Sequence, residues 1–237
     1  MTTPITYINS AADLKAFCGE HGGIVCTSTN APKILEWAFQ QKEKVLFFPD
    51  QNLGRWSGYK MGIPLEQMPV WDPDQPMGGL TEEQIKNAKI LLWKGHCAVH
   101  QMFREQNITK FRAEHPEGLV ISHPESPFEV CLNSDYVGST EYILKTVSDA
   151  PAGTHWLVGT ELNLVNRLAE QMKPQGKTVQ FMSHVVCECS TMARIDPQHL
   201  AWTLENLADG NVVNQIKVPA HEAELAKLTL DRMLAVS

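Results

Sequence analysis

The sequence predicts an α/β protein built from two related three-layer αβα domains with parallel sheets, over residues 1–99 and 100–237. Two observations predict this fold. Short apolar runs rich in Val, Ile and Phe alternate with helical patterns along the chain, which is typical of β-α units. The loops that follow these runs also recur in the same order in both halves of the chain, which indicates two related copies.

Eight apolar runs are the predicted strands, and helical spacing marks several segments between them. The strands are expected at residues 5–8, 24–26, 45–48, 90–93, 119–121, 136–137, 156–158 and 179–182. Apolar spacing predicts helices over residues 33–41, 162–172 and 220–234. Pro32 and the Asp196-Pro197 pair indicate the beginnings of two helices. Residues 55–79 contain repeated prolines and a Gly-Gly pair, which predicts a long irregular loop.

The loops after corresponding strands form pairs between the two halves of the chain. The pairs are Tyr7-Ile8-Asn9-Ser10 with His123-Pro124-Glu125-Ser126, Thr27-Ser28-Thr29-Asn30 with Gly138-Ser139-Thr140-Glu141, and Pro49-Asp50-Gln51-Asn52-Leu53 with Gly159-Thr160-Glu161-Leu162-Asn163. Two cysteine stretches, around Cys97 and around Cys187 and Cys189, form a fourth pair if residues 55–79 are an insertion in the first copy only. We therefore expect two related domains joined near His100.

Charge and composition exclude several classes of partner. The formal net charge is −7 and basic residues are not clustered, which argues against nucleic acid or an anionic membrane as a partner. The N-terminal residues do not resemble a signal peptide, and no apolar stretch approaches membrane-spanning length, so a cytoplasmic protein is expected. In a reducing compartment the six cysteines are not expected to form disulfides.

The two cysteine stretches are the predicted metal site. Cys97-x-x-His100 and Cys187-x-Cys189 offer up to four soft ligands, which by composition fits a structural zinc of the Cys3His type. One cysteine from each stretch would instead suit an iron-sulfur cluster, which is normally held by three or four thiolates. Spacing alone leaves both possibilities open. The polar neighbours of Cys187 and Cys189 weaken a third interpretation, in which both are core residues.

Polar side chains gather in the loops that follow the predicted strands. Because ligands bind at the carboxyl ends of parallel strands, these loops are expected on the functional side of each sheet. Hydroxyl and amide groups at helix beginnings suit a carboxylate or phosphate, although each one taken singly is more simply a helix cap. The candidate residues are Tyr7, Asn9, Ser28, Asn30, Cys97, His100, His123, Glu125, Ser139, Thr140, Thr160, Glu161 and Cys189.

Taken together, these segments resemble the quinolinate synthase family, in the family's order and over nearly the whole chain. The resemblance lies in Tyr7-Ile8-Asn9-Ser10, Cys26-Thr27-Ser28-Thr29-Asn30-Ala31, Pro49-Asp50-Gln51-Asn52-Leu53-Gly54, Lys94-Gly95-His96-Cys97-Ala98-Val99-His100, His123-Pro124-Glu125, Gly138-Ser139-Thr140, Gly159-Thr160-Glu161 and Cys189-Ser190-Thr191-Met192. It implies a pseudo-threefold architecture of three α/β domains, each giving one cysteine to a 4Fe–4S cluster. It also implies condensation of iminoaspartate, supplied by L-aspartate oxidase, with dihydroxyacetone phosphate to form quinolinate for NAD synthesis.

The resemblance further assigns roles to individual residues. Cys97 and Cys189 are implied as cluster ligands, and Cys189 is preferred over Cys187 because Met192 follows it as in the family. Glu125, with His123 beside it, is implied as the general acid or base, and Tyr7 as a further catalytic group. Substrate binding is implied for Tyr7, Asn9, Ser28, His100, His123, Glu125, Ser139 and Thr140.

The chain departs from the family at its beginning. It starts where the family's second domain starts, so the family's first domain and its cluster cysteine are expected to be missing and the chain to be truncated. The helix over residues 220–234 is assigned to the second half and is expected to pack on the missing domain. A non-catalytic module that binds zinc or a metabolite is the alternative function.

Overall fold

The first half of the chain forms a parallel five-stranded sheet. The computed structural model describes residues 2–185 and 189–236. The strands are β1 (Thr2–Tyr7), β2 (Ile24–Cys26), β3 (Lys44–Phe48), β4 (Val70–Trp71) and β5 (Ile90–Trp93). They are arranged in the order β2-β1-β3-β5-β4, and every neighbouring pair is parallel.

The second half repeats this arrangement with four parallel strands. They are β6 (Leu119–Ser122), β7 (Tyr136–Val137), β8 (His155–Gly159) and β9 (Thr178–Phe181), in the order β7-β6-β8-β9. Matching β6, β7, β8 and β9 to β1, β2, β3 and β5 reproduces the order of the first sheet without its edge strand β4. The predicted α/β fold with two related parallel sheets is confirmed.

Helices cover the two sheets. They are α1 (Ala12–Glu20), α2 (Ala31–Gln41), α3 (Gln51–Lys60), α4 (Glu82–Asn87), α5 (Glu105–Glu114), α6 (Phe128–Leu132), α7 (Thr140–Asp149), α8 (Leu162–Met172), α9 (Pro197–Ala208) and α10 (Ala220–Val236). Pro32 lies in the first turn of α2, and the Asp196 carboxylate caps α9 by accepting from the His199 amide, as predicted. Among the described residues, no helix combines the length and apolarity needed to span a membrane.

The stretch 55–79 is more ordered than the sequence predicts. α3 continues to Lys60, and Val70 and Trp71 form the edge strand β4 beside β5. The Trp71 ring packs so closely over Gly78 that a Cβ there would lie 2.4 Å from it. A strand of two residues, directly after Pro69, has no alternation that a sequence pattern can detect.

Helix α10 leaves the second half of the chain and packs on the first sheet. It lies against α1 and β2, its Met233 joins the core that contains Ile5 and Phe47, and Arg232 Nη1 donates to the Gly23 carbonyl at 2.8 Å. The helix assigned to the second half thus packs on the first sheet, while its expected packing on the family's first domain stays a prediction. Exposed apolar side chains are found on α9, at Leu200, Trp202, Leu204 and Leu207, and on α10, at Leu228 and Leu234.

Gly19 allows α1 and α10 to approach each other closely. A Cβ at this position would lie 2.4 Å from the Leu225 carbonyl oxygen, a backbone atom that cannot rotate away. We expect Gly19→Ala to lower the free energy of unfolding by about 2 kcal/mol, because the helices must separate. Urea unfolding would measure this, with the exposed neighbour Glu20→Ala as the control. Equal unfolding midpoints for the two variants would contradict this packing.

The two halves meet through α3 and α6. The Phe128 ring lies 6.2 Å from the Trp56 ring and 5.0 Å from the Tyr59 ring, measured between centroids. Asn52 Nδ2, at the beginning of α3, donates to the Glu125 carbonyl at 3.0 Å, and both residues are buried. Asn52 thus joins the two halves beside the loop that carries Glu125.

Candidate functional site

A cavity of 490 Å³ lies between the carboxyl ends of the two sheets. Its walls come from the loops after β1, β3 and β5 in the first half, and after β6 and β9 in the second. Both predicted metal ligands, Cys97 and Cys189, line it together with Asn9, Asp50 and Glu125. The loops that follow parallel strands lie at one edge of each sheet. These two edges face each other across the cavity.

Glu125 and two histidines form a buried cluster beside this cavity. Glu125 Oε2 lies 3.3 Å from His123 Nδ1 and 3.8 Å from His100 Nδ1. The rings of His100 and His123 are stacked, with centroids 4.9 Å apart. All three residues are buried, so three of the predicted site residues are close neighbours.

Burial makes the neutral forms of these three side chains the stable ones. Burial, reinforced by the charge of Asp50, raises the pKa of Glu125 to about 8. Burial lowers the pKa of His100 to about 4, and burial together with His100 lowers that of His123 to about 3. At neutral pH the cluster is therefore a protonated carboxyl group beside two neutral imidazoles, which is able to donate a proton.

Within the described part of the chain, neither ring nitrogen of the buried His100 has a hydrogen-bond partner. One ligand atom from each of His100, Cys97 and Glu125 lies within 4.8 Å of the others. A buried imidazole without a partner is costly, and a metal ion held by these three side chains could supply one.

Tyr7 and Ser28 face this cluster from the first sheet. Burial together with the nearby Glu125 raises the pKa of Tyr7 in spite of an opposing effect of the Ser28 side chain, so the Tyr7 hydroxyl remains protonated. Asn9 lies two residues further along the same loop, exposed on the cavity wall. Asn9 can donate a hydrogen bond toward a ligand in the cavity, whereas Tyr7 and Ser28 are not among the residues that line it.

Ser139 and Thr140 lie away from the cavity walls. The Ser139 hydroxyl accepts from the Tyr142 amide and caps α7, while Thr140 is exposed in the first turn of that helix. Glu161 caps α8 by accepting from the Leu164 amide at 3.0 Å. Capping, the simpler interpretation, describes Ser139 and Glu161 here.

Asp50 is a site residue that the sequence analysis did not single out. It is buried on the cavity wall, and both carboxylate oxygens accept backbone hydrogen bonds, from Leu53 at 2.8 Å and from Cys97 at 3.0 Å. Burial raises its pKa to about 6 in spite of these bonds. The available signal was an acidic residue between a predicted strand and a helix; in the structure Asp50 is the N-cap of α3, as Glu161 is the N-cap of α8.

The cysteines fit part of an iron-sulfur site. Burial raises the pKa of Cys97; burial acts in the same direction on Cys189, but hydrogen bonds from Thr191 and the Met192 amide outweigh it and lower that pKa. Cys187 lies outside the described residues. The other cysteines of the described chain, Cys18, Cys26 and Cys131, are buried and do not line the cavity. The described residues therefore supply two thiols for a cluster that usually needs three or four.

These features define an α/β protein with a cavity between the carboxyl ends of two parallel sheets, beside which thiol, imidazole and carboxyl groups are gathered. The chain belongs to the quinolinate synthetase A protein family, whose model matches residues 2–235. It is similar to proteins named quinolinate synthase from Rhodopirellula baltica (56% identity), Herpetosiphon aurantiacus (54%) and Corynebacterium glutamicum (54%).

These similarities extend over the whole chain but over only part of each relative. The matches cover 98%, 99% and 98% of this chain, and 59%, 62% and 59% of the three relatives in the same order. The chain thus spans about three fifths of the length of these proteins.

Proposed function

We propose that this chain provides the acid-base groups and two cluster thiols of a quinolinate synthase, which condenses iminoaspartate with dihydroxyacetone phosphate in NAD biosynthesis. One observation carries the proposal: Cys97, Cys189 and the buried Glu125 meet at one cavity in a member of this family. The 56% identity to the Rhodopirellula baltica relative supports it. We further propose that L-aspartate oxidase supplies the iminoaspartate.

Glu125 is the proposed proton donor. Its neutral carboxyl group at the cavity wall can protonate a leaving hydroxyl and can recover the proton when an imine forms. His123 Nδ1, which accepts from the Glu125 amide at 3.3 Å, holds this carboxyl group in place. When bound, a 4Fe–4S cluster with one iron open would supply a Lewis acid for removal of water.

Neutral hydrogen-bond donors are the proposed substrate-binding groups. Asn9 on the cavity wall, with Tyr7 near Glu125 and with Ser28, is proposed to bind substrate carboxylate or carbonyl oxygens. His100, whose ring nitrogens lack a hydrogen-bond partner among the described residues, is proposed to bind substrate next to the cluster. We propose that Ser139 and Thr140 bind the substrate phosphate at the beginning of α7, a position that favours anions.

Reconstitution of activity tests this function. The chain would be co-expressed with the part of the Rhodopirellula baltica relative that it does not match, and loaded anaerobically with iron and sulfide. We expect quinolinate from the two substrates, and at least about 100-fold less from Glu125→Gln, because the amide cannot donate an acidic proton. Cys18→Ala is the control, a buried cysteine away from the cavity. An iron-loaded complex without activity would refute the proposal.

A second candidate function, a zinc-binding module without catalysis, is favoured by the grouping of Cys97, His100 and Glu125. One thiolate, one imidazole and one carboxylate are sufficient ligands for a zinc ion with an open position. Metal analysis of Cys97→Ser and Cys189→Ser separates the two functions. A cluster requires both cysteines, whereas zinc at this group of three would be lost only from Cys97→Ser.

A further inference from the structure

Asp50 connects the beginning of a helix to the loop that carries Cys97. It lies between β3 and α3, and its Oδ1 accepts from the Leu53 amide at 2.8 Å in the first turn of that helix. Its Oδ2 accepts from the Cys97 amide at 3.0 Å, although the two residues are 47 positions apart in the chain. With 3% of its surface exposed, Asp50 has little alternative contact with water.

Other backbone contacts hold the same two loops together. The Gln51 amide donates to the Gly95 carbonyl at 2.9 Å, and a Cβ at Gly95 would lie only 2.1 Å from the Pro49 carbonyl oxygen. The Cys97 loop is thus attached to the rigid junction of β3 and α3, and Asp50 provides the attachment nearest to the thiol.

The second half of the chain contains a partial counterpart. Glu161 caps α8 with Oε2, as Asp50 caps α3, and Cys189 follows β9 as Cys97 follows β5. The other oxygen of Glu161, however, accepts from Asn163 Nδ2 at 3.0 Å rather than from a cysteine amide. The two acidic residues therefore share the capping role, and within residues 2–185 and 189–236 contact with a cysteine amide is found at Asp50 and not at Glu161.

We infer that Asp50 is a positioning residue that fixes the Cys97 thiol for metal binding through the Cys97 backbone amide. The inference rests on the proposed function in that Cys97 must ligate the metal. A carboxylate has two acceptor oxygens, both in use here, whereas an asparagine amide has only one. Asp50→Asn can therefore keep the helix cap or the Cys97 contact, but not both, while its shape is nearly unchanged.

The test compares Asp50→Asn with Glu161→Gln in this chain, co-expressed with the part of the Rhodopirellula baltica relative that it does not match. Asparagine caps helices about as well as aspartate, so we expect little change in the urea midpoint. After anaerobic reconstitution, bound iron is measured by its thiolate charge-transfer absorbance. We expect Asp50→Asn to need about 10- to 100-fold more free iron than the unmodified chain for the same occupancy, because loss of the hydrogen bond that supports a metal ligand weakens metal binding by about this factor. Glu161→Gln should bind iron as the unmodified chain does.

A second readout does not depend on metal. The alkylation rate of Cys97, measured by mass spectrometry of its peptide in the metal-free chain, should rise about tenfold in Asp50→Asn and remain unchanged in Glu161→Gln, because the released loop exposes the thiol. Failure of the unmodified chain to bind iron when co-expressed with the missing part would count against the proposed function alone. Equal alkylation rates in Asp50→Asn and the unmodified chain would overturn the positioning role, whatever the outcome with iron.

Discussion

Glu125→Gln is expected to remove a large pH dependence from the stability of this protein. The pKa of Glu125 is raised from 4.5 to about 8 in the folded chain, mainly by burial. Between these values the unfolded chain loses a proton that the folded chain retains, so the unmodified protein loses stability as the pH rises. Above pH 8 the folded chain contains a buried carboxylate, whereas below pH 4.5 the group is neutral in both states.

The difference in unfolding free energy between Glu125→Gln and the unmodified chain measures this effect. It should shift in favour of the variant by up to about 4 kcal/mol between pH 4.5 and pH 8. His100 and His123, whose lowered pKa values destabilise the folded chain in acid, are present in both proteins and largely cancel. Glu117→Gln, at an exposed carboxyl group, is the control. A pH-independent difference would mean that Glu125 is ionised in the folded chain.

Gly95→Ala is expected to cause the largest structural change at the site. The added Cβ would lie 2.1 Å from the Pro49 carbonyl oxygen, so the backbone of one loop must move. We expect the free energy of unfolding to fall by about 2 to 3 kcal/mol, because the clashing atom is a backbone oxygen that cannot rotate away as a side chain could. Displacement of the loop should also abolish metal binding by Cys97.

Chemical denaturation and iron content after reconstitution would measure both effects. Lys94→Ala is the control in the same loop, because its ion pair with Asp72 is exposed and contributes little stability. Normal iron binding by a folded Gly95→Ala protein would show that the position of this loop does not govern the metal site.

The two sheets could be predicted because their signals are local. Each of the eight predicted strands is an apolar run bounded by turn residues, and the loops after them recur in order. The sequence predicted the grouping of Glu125, His100 and Cys97 only in outline. It places these residues at strand ends but does not determine the angle between the two sheets, which brings them together. Ser28, Ser139 and Thr140 also follow predicted strands, yet none of these three residues lines the cavity, whereas Asn9 does.

The sequence by itself determined the fold class, the repeated order of strands and the family, since these follow from local patterns and motif order. Tertiary structure alone decided which distant residues share a contact. Asp50 meets Cys97, Asn52 meets the Glu125 carbonyl, and α10 returns across the chain to Gly19. Each of these contacts joins segments far apart in sequence, where packing geometry rather than local preference selects the partner.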